Sequence, residues 1–200
     1  MSKLIGAGLV LLAALAGIAL WVGQSARTAP ASEAKVPFGE KMEKVDATPG
    51  AIYSVQFADL DGKQRTLGEW QHKLLIINFW ATWCAPCKEE MPIFAKLQKD
   101  FGPNGLQIVG IAADSRLNVS NFADKMPVGY PLLPDEARAI EFSKRLGNRL
   151  GLLPFTIVLR PGGEVIFTRL GVVTEMDMRD LAAKNFLNNT SSFIFYEDGP

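Results

Sequence analysis

The feature that most constrains this chain is a nearly unbroken apolar run that ends on two cysteines. Leu74-Leu75-Ile76-Ile77-Asn78-Phe79-Trp80 is followed by Ala81-Thr82-Trp83-Cys84-Ala85-Pro86-Cys87-Lys88-Glu89-Glu90. A run of that length and composition is the mark of a central strand covered on both faces. The next segment reads as a helix from the cysteines to about Asp100, with Met91, Phe94, Ala95 and Leu97 supplying apolar contacts. The cysteines therefore fall at a strand-to-helix junction. Unpaired N–H groups and the positive end of the helix dipole stabilise a thiolate there. A lowered thiol pKa makes a cysteine nucleophilic at neutral pH. Cys84, at the helix start, is the expected nucleophile. Cys87, about one turn in and more buried, is the expected resolving thiol. Pro86 suits a first turn, where its missing N–H costs nothing.

Other uses of such a pair fit poorly. Cys84 and Cys87 are the only cysteines in 200 residues, so they form no disulfide scaffold. A structural bridge closing so small a loop gains only about 2 kcal/mol in the chain-entropy model. Zinc wants four ligands, typically a second cysteine pair. Haem attachment wants histidine directly after the second cysteine, where Lys88 stands. The single histidine, His72, precedes the central strand and reads as a surface or half-buried residue. No cofactor is expected beyond a redox-active Cys84–Cys87 disulfide, and no metal. Lys plus Arg equals Asp plus Glu at 21 each, which gives no electrostatic reason to expect nucleic acid.

The chain divides by composition. From Leu4 to Val22 run 19 residues without a charged side chain, just after Lys3. At 1.5 Å per residue they nearly match a hydrocarbon core of ~30 Å. Residues 1–22 thus read as an N-terminal membrane anchor, or else as a signal segment cleaved near Ala29-Pro30-Ala31. Lys3 favours a cytoplasmic N-terminus, while Arg27 and Lys35 lie on the other flank. Either way the rest is expected to be exported. Residues 23–49, with Pro30, Pro37 and Pro49, read as a linker, 50–187 as a globular domain, and 188–200 as a tail.

Within the domain, Ile52 to Phe57 alternates as a half-buried strand, with Asp61-Gly62 turning it towards Arg65-Thr66-Leu67. Leu106 to Ala112 is a second buried strand. The stretch from Asn118 to Leu150 is polar, mostly helical and interrupted by Pro127, Pro131 and Pro134. Phe155 to Leu159, Pro161-Gly162-Gly163 and Glu164 to Leu170 read as a hairpin, and Thr174 opens a last helix with Leu181, Ala182 and Phe186 on one side. The expected class is α/β: parallel strands from a right-handed crossover, a late hairpin making the sheet mixed, and helices on both faces.

The motif from Phe79 to Lys88 resembles the active site of thioredoxin-fold proteins. Its extension through Glu90-Met91-Pro92 resembles the membrane-anchored bacterial TlpA/ResA/CcmG branch. The resemblance covers roughly Ala51 to Phe186 and is weak between Asn118 and Leu150. It implies a thioredoxin fold and an extracytoplasmic thiol–disulfide oxidoreductase that reduces protein disulfides, often during cytochrome c maturation. It makes Glu90 the branch's active-site carboxylate. Glu90 lies three residues beyond Cys87 and so on the same helix face, where it can exchange protons with Cys87 through solvent. Neighbouring Glu89 reads as a solvated first-turn acid. The resemblance also makes Pro154 a cis-proline that presents the backbone of Leu153 to an extended client by strand addition. Pro92 matches a structural helix kink. Trp80 is expected in the core, and Trp83 against substrate.

Two departures stand out. Thioredoxins carry a buried aspartate where this chain has Asn78, and Glu90 is the expected substitute. Leu152-Leu153 before Pro154 is bulkier and more apolar than the small or polar residues expected there. The Ala-Pro between the cysteines offers no cation to stabilise the thiolate, and an ionised Glu90 raises thiol pKa values; both favour a reducing couple. A reductant outside the cytoplasm needs recharging, which implies a membrane electron donor of the DsbD or CcdA type and disulfide-bearing client proteins. A copper-handling assembly factor of related fold is the alternative, with Met91 its one obvious extra ligand near the pair; a peroxidase of similar fold would want its cysteine in a different context.

Overall fold

The computed structural model describes residues 48–190, with side chains described to 186. The expected anchor (1–22), nearly all of the linker and the end of the tail lie outside the described residues. Among those described, no helix is long and apolar enough to cross a membrane.

The chain enters through a short helix, α1 (Pro49–Tyr53), where a half-buried strand was expected. The reason is local. Thr48 caps the helix by accepting a hydrogen bond from the Ala51 N–H, and Pro49 supplies a preset φ at the first helical position. Ile52 and Tyr53 bury one side of that turn. The strand proper is only β1 (Gln56–Ala58), paired antiparallel with β2 (Gln64–Thr66) in a separate two-stranded sheet. A 3₁₀ turn over Leu67–Trp70 leads to the central sheet.

That sheet has five strands in the order β5-β4-β3-β6-β7: β3 is Leu74–Trp80, β4 Leu106–Ala112, β5 Leu132–Pro134, β6 Phe155–Leu159 and β7 Val165–Leu170. β3, β4 and β5 run parallel; β6 and β7 are antiparallel additions, so the sheet is mixed as expected. Every residue of β3 and β4 is buried, which is what continuous apolar composition requires of strands covered on both faces. β5 is a departure. The stretch from 118 to 150 was expected to be mostly helical with proline interruptions; its helices α3 (Arg116–Ala123) and α4 (Arg138–Arg145) are there, but between them it adds an edge strand. Prolines at 131 and 134 lack N–H donors, and prolines are tolerated at a sheet edge for that reason.

Alternate residues of β3 split the core in two. Ile76 and Trp80 face Met91, Phe94 and Leu97 of α2 (Ala85–Phe101) together with Met178 and Ala182 of α5 (Glu175–Thr190). Leu75, Ile77 and Phe79 face the other layer, built from Ile52, Phe57, Trp70 and the α4 residues Ala139 and Phe142. There Phe79, Phe142, Phe57 and Phe155 form a run of tilted ring contacts 5.8–6.0 Å between centroids. Helices therefore cover both faces. The C-terminal end of β3 is left as the edge from which α2 begins. Phe79 pairs with Phe155, so Leu153 and Pro154 lie at that same edge.

Candidate active site

The two cysteines sit where β3 gives way to α2. Cys84 is the N-cap of α2, with φ −86° and ψ 104°, and Pro86 occupies its first turn. β3 ends at Trp80, a turn through Thr82 and Trp83 follows, and the extended N-cap with a proline in the first turn starts the helix at this point. Cys84 and Cys87 are joined in a disulfide, S–S 1.99 Å. The Cys87 N–H points at Cys84 Sγ, 3.3 Å away, so a helix N-terminal donor faces the sulfur that would carry thiolate charge. Cys84 is 5% exposed and Cys87 is fully buried, so an incoming sulfur reaches Cys84 first.

Glu90 lies one turn further along α2 and is fully buried. Its position differs from the solvent-linked acid expected: protein donors hold both oxygens. Asn78 Nδ2 donates to Oε1 at 2.7 Å, and the Val173 N–H donates to Oε2 at 3.0 Å. Burial raises the Glu90 pKa to about 7, against the two hydrogen bonds that pull it down. Asn78, where thioredoxins have aspartate, is thus the partner of the acid; its Nδ2 also reaches Thr156 Oγ1 at 3.2 Å. Nearby polar atoms are left without protein partners: Asn78 Oδ1, Trp80 Nε1 and the Tyr130 hydroxyl. Burial, and then the charge of Glu90, push the Tyr130 hydroxyl pKa well above its ordinary value. A buried acid that titrates near neutrality, three residues from Cys87, is suited to taking or giving the proton of a buried thiol.

The Leu153–Pro154 bond is cis, and the Pro154 carbonyl accepts from the Gly171 N–H at 2.9 Å. The loop from Gly171 to Val173 therefore touches both the cis-proline and Glu90. Leu153 is half-buried and packs against both halves of the core, including the cluster that contains Cys84 and Cys87. Trp83 is 70% exposed beside Cys84, whereas Trp80 is buried as expected, 5.0 Å from the Phe122 ring. Glu89 is exposed. His72 is exposed at the far end of β3, against Gln71. Pro92 lies inside α2. Among the described residues no group of three or more His, Cys, Asp or Glu side chains is placed to hold a metal ion.

Sequence reasoning missed Asp114. Its carboxylate accepts from the Thr82 N–H at 3.1 Å, the Thr82 hydroxyl, the Ser115 N–H at 2.8 Å and Asn118 Nδ2 at 2.8 Å. Burial pushes its pKa up, but these hydrogen bonds outweigh burial and hold it below the usual carboxylate range. Asp114 thereby ties the loop before Cys84 to the start of α3. The signal available was an acid-serine pair closing a buried strand, the chemistry of a helix cap.

The site has close relatives among known proteins. The Redoxin family model matches residues 31–184. The thiol–disulfide oxidoreductase ResA of Bacillus subtilis is 32% identical over 123 residues, 61% of this chain and 66% of that protein. ResA of Geobacillus thermodenitrificans is 30% identical over 61% of this chain and 68% of its own length. The chain thus spans about two thirds of the length of these curated relatives. A thioredoxin-related protein from Neisseria meningitidis matches in structure with TM-score 0.58 and 36% identity, over 64% of this chain and 97% of that one. A thioredoxin-family thiol:disulfide interchange protein from Chlorobium tepidum matches with TM-score 0.59 and 27% identity, over 70% and 98%. The mixed sheet between helical layers is a thioredoxin fold, the chain belongs to the Redoxin family, and its Cys84–Cys87 site is that of a thiol–disulfide oxidoreductase of the ResA type.

Proposed function

We propose that the protein is a disulfide reductase, held by its N-terminal segment on the extracytoplasmic face of a membrane. The carrying observation is the pairing of Cys84, 5% exposed at a helix N-cap, with a fully buried Cys87 and a fully buried Glu90 that titrates near neutrality. The Cys84 thiolate attacks one sulfur of a client disulfide and expels the other as a thiolate. Cys87 then gives its proton to Glu90 and attacks Cys84 Sγ. The second client thiolate leaves, Cys84 and Cys87 are joined, and two electrons have passed to the client. Leu153, beside Pro154, offers its main chain to the client strand, and Trp83 offers an exposed ring.

The reducing direction is supported by the uncharged Ala-Pro between the cysteines and by the carboxylate at Glu90. A DsbD or CcdA-type membrane donor would restore the dithiol. Apocytochromes and copper-site proteins are the client classes that fit an exported reductase. The 19-residue apolar segment from Leu4 supports the location.

The test is a redox titration of the full chain in detergent, across dithiothreitol and glutathione buffers, read by tryptophan fluorescence. A two-electron potential at or below about −220 mV supports a reductase. A value near about −120 mV, that of a strong periplasmic oxidant, reverses the direction of electron flow. In membranes, Cys84→Ser abolishes turnover and Cys87→Ser accumulates a mixed disulfide with donor or client; recovery of no such adduct counts against the mechanism.

A further inference from the structure

Between α4 and the cis-proline the chain makes a loop whose one buried polar side chain is Asn148, 2% exposed. Asn148 Nδ2 donates to the Leu152 carbonyl at 2.8 Å, and the Leu152 N–H donates back to Asn148 Oδ1 at 3.1 Å. The same Nδ2 reaches Ser143 Oγ at 3.0 Å, and Ser143, fully buried in α4, anchors to the Ile140 carbonyl at 2.8 Å. The amide thus pairs with Leu152 as a neighbouring strand would, and is itself fixed to a helix. The consequence falls on the next residue. Both main-chain groups of Leu152 are already paired, its single N–H donor fully used, while Leu153 has no main-chain hydrogen bond among the described residues. The Leu152 side chain is left 51% exposed, two residues before Pro154.

We propose that Asn148 is a positioning residue for client recognition: by occupying both main-chain groups of Leu152 it restricts strand addition to Leu153 and fixes the Leu152 side chain as an apolar contact for the residue beside the client's disulfide cysteine. This rests on the reading of the site as a protein-disulfide reductase. Buried polar groups cost energy unless paired, so an amide buried here with three partners defines one loop conformation. A fixed loop lowers the ordering cost of docking, which appears in KM rather than in the exchange chemistry. The client so selected carries a bulky apolar residue next to its reactive cysteine.

The experiment uses the reduced full chain in detergent against three oxidants: 5,5′-dithiobis(2-nitrobenzoate), and two peptides whose single cysteine carries thionitrobenzoate, flanked by leucines in one and serines in the other. The wild-type chain is expected to prefer the leucine peptide. In Asn148→Ala the ratio of kcat/KM on the leucine peptide to that on the small oxidant falls about tenfold, through KM. Asn148→Asp, which keeps the acceptor for the Leu152 N–H but loses both donated bonds, falls between. Leu152→Ser, at an exposed position that keeps the test alive should Asn148→Ala not fold, erases the discrimination between the two peptides. Proportional losses on all three oxidants would make Asn148 a fold support only and overturn the proposal, as would a wild-type chain with no preference between peptides. A wild-type chain that reduces the small oxidant but neither peptide would remove the reductase reading itself.

Discussion

Asn78 and Glu90, twelve residues apart in sequence, meet side chain to side chain at 2.7 Å, and both are fully buried. The central strand supplies a donor and the active-site helix supplies an acid. A main-chain N–H of Val173, 83 residues away, completes the grip at 3.0 Å. An asparagine suits this place better than the aspartate of thioredoxins, because the acid has moved onto the helix and needs a donor opposite.

Asn78→Asp would therefore set two carboxyls against each other. Like charges at hydrogen-bond distance cannot both ionise, so the pair would hold one proton well above neutrality. The variant should lose stability relative to the parent chiefly as pH rises past 7. Urea unfolding at pH 6 and pH 8.5 checks this; an equal loss at both pH values would show packing, not charge, to be the cause.

Glu90→Gln addresses the acid directly. The folded pKa is raised from the ordinary value of 4.5 to about 7, so the unfolded chain gives up this proton first. The stability linked to the protonated form is complete below about pH 4.5 and is lost as pH rises to about 7, by roughly 3 kcal/mol at most. Glutamine has no such titration, so the variant's stability should be flatter over that window. Its second turnover step, attack by Cys87, should slow by on the order of a hundredfold at neutral pH, the low end for general acid–base help. Stopped-flow release of a trapped mixed disulfide measures the step.

Much of this was legible in the residues, and the parts that were not share a cause. The apolar runs at Leu74–Trp80 and Leu106–Ala112 demanded buried strands, and the cysteines had to open the following helix. The strand β5 was hidden because a three-residue strand that follows Pro131 and ends on Pro134 acquires its pairing only from β4. The first helix was hidden because Ile52 to Phe57 alternates like a strand, while the Thr48 cap that decides the matter lies just before it. At the site, Cys84 and Cys87 could be placed from spacing, and Glu90 from the family resemblance, which its place three residues beyond Cys87 supports. The Val173 N–H could not, since a main-chain donor leaves no mark in composition. Nor could Asn148 be singled out in a polar stretch until its two bonds to Leu152 were visible.

Asp114→Ala tests the other carboxylate. It would strand the Thr82 and Ser115 N–H groups and the Thr82 hydroxyl in a partly buried corner. Losing hydrogen bonds to a charged group should cost about 2–3 kcal/mol. Because the folded pKa is depressed, this stability is present above the ordinary aspartate range and is lost as pH falls through the folded value. The variant should thus differ most from wild type at neutral pH and least in acid, which denaturation between pH 2.5 and 7 would show.

The same substitution at two glycines should have opposite signs. A Cβ on Gly110, in the buried strand beside Asn78, would stand 2.8 Å from Leu132 Cδ2, 3.0 Å from Trp80 Nε1 and 3.4 Å from Tyr130 Cε2. All three side chains are nearly or wholly buried, so none can swing into solvent. Gly110→Ala should cost about 1–3 kcal/mol, the usual range for overpacking. A Cβ on Gly50 meets nothing within 4 Å, and Gly50 lies in the exposed first turn of α1. There alanine reduces the freedom of the unfolded chain and should stabilise by about 0.5–1 kcal/mol. Paired urea titrations decide it: if Gly110→Ala were neutral, the contact of Trp80 and Tyr130 over the strand would be loose, and the polar surroundings of Glu90 would not be held in one arrangement.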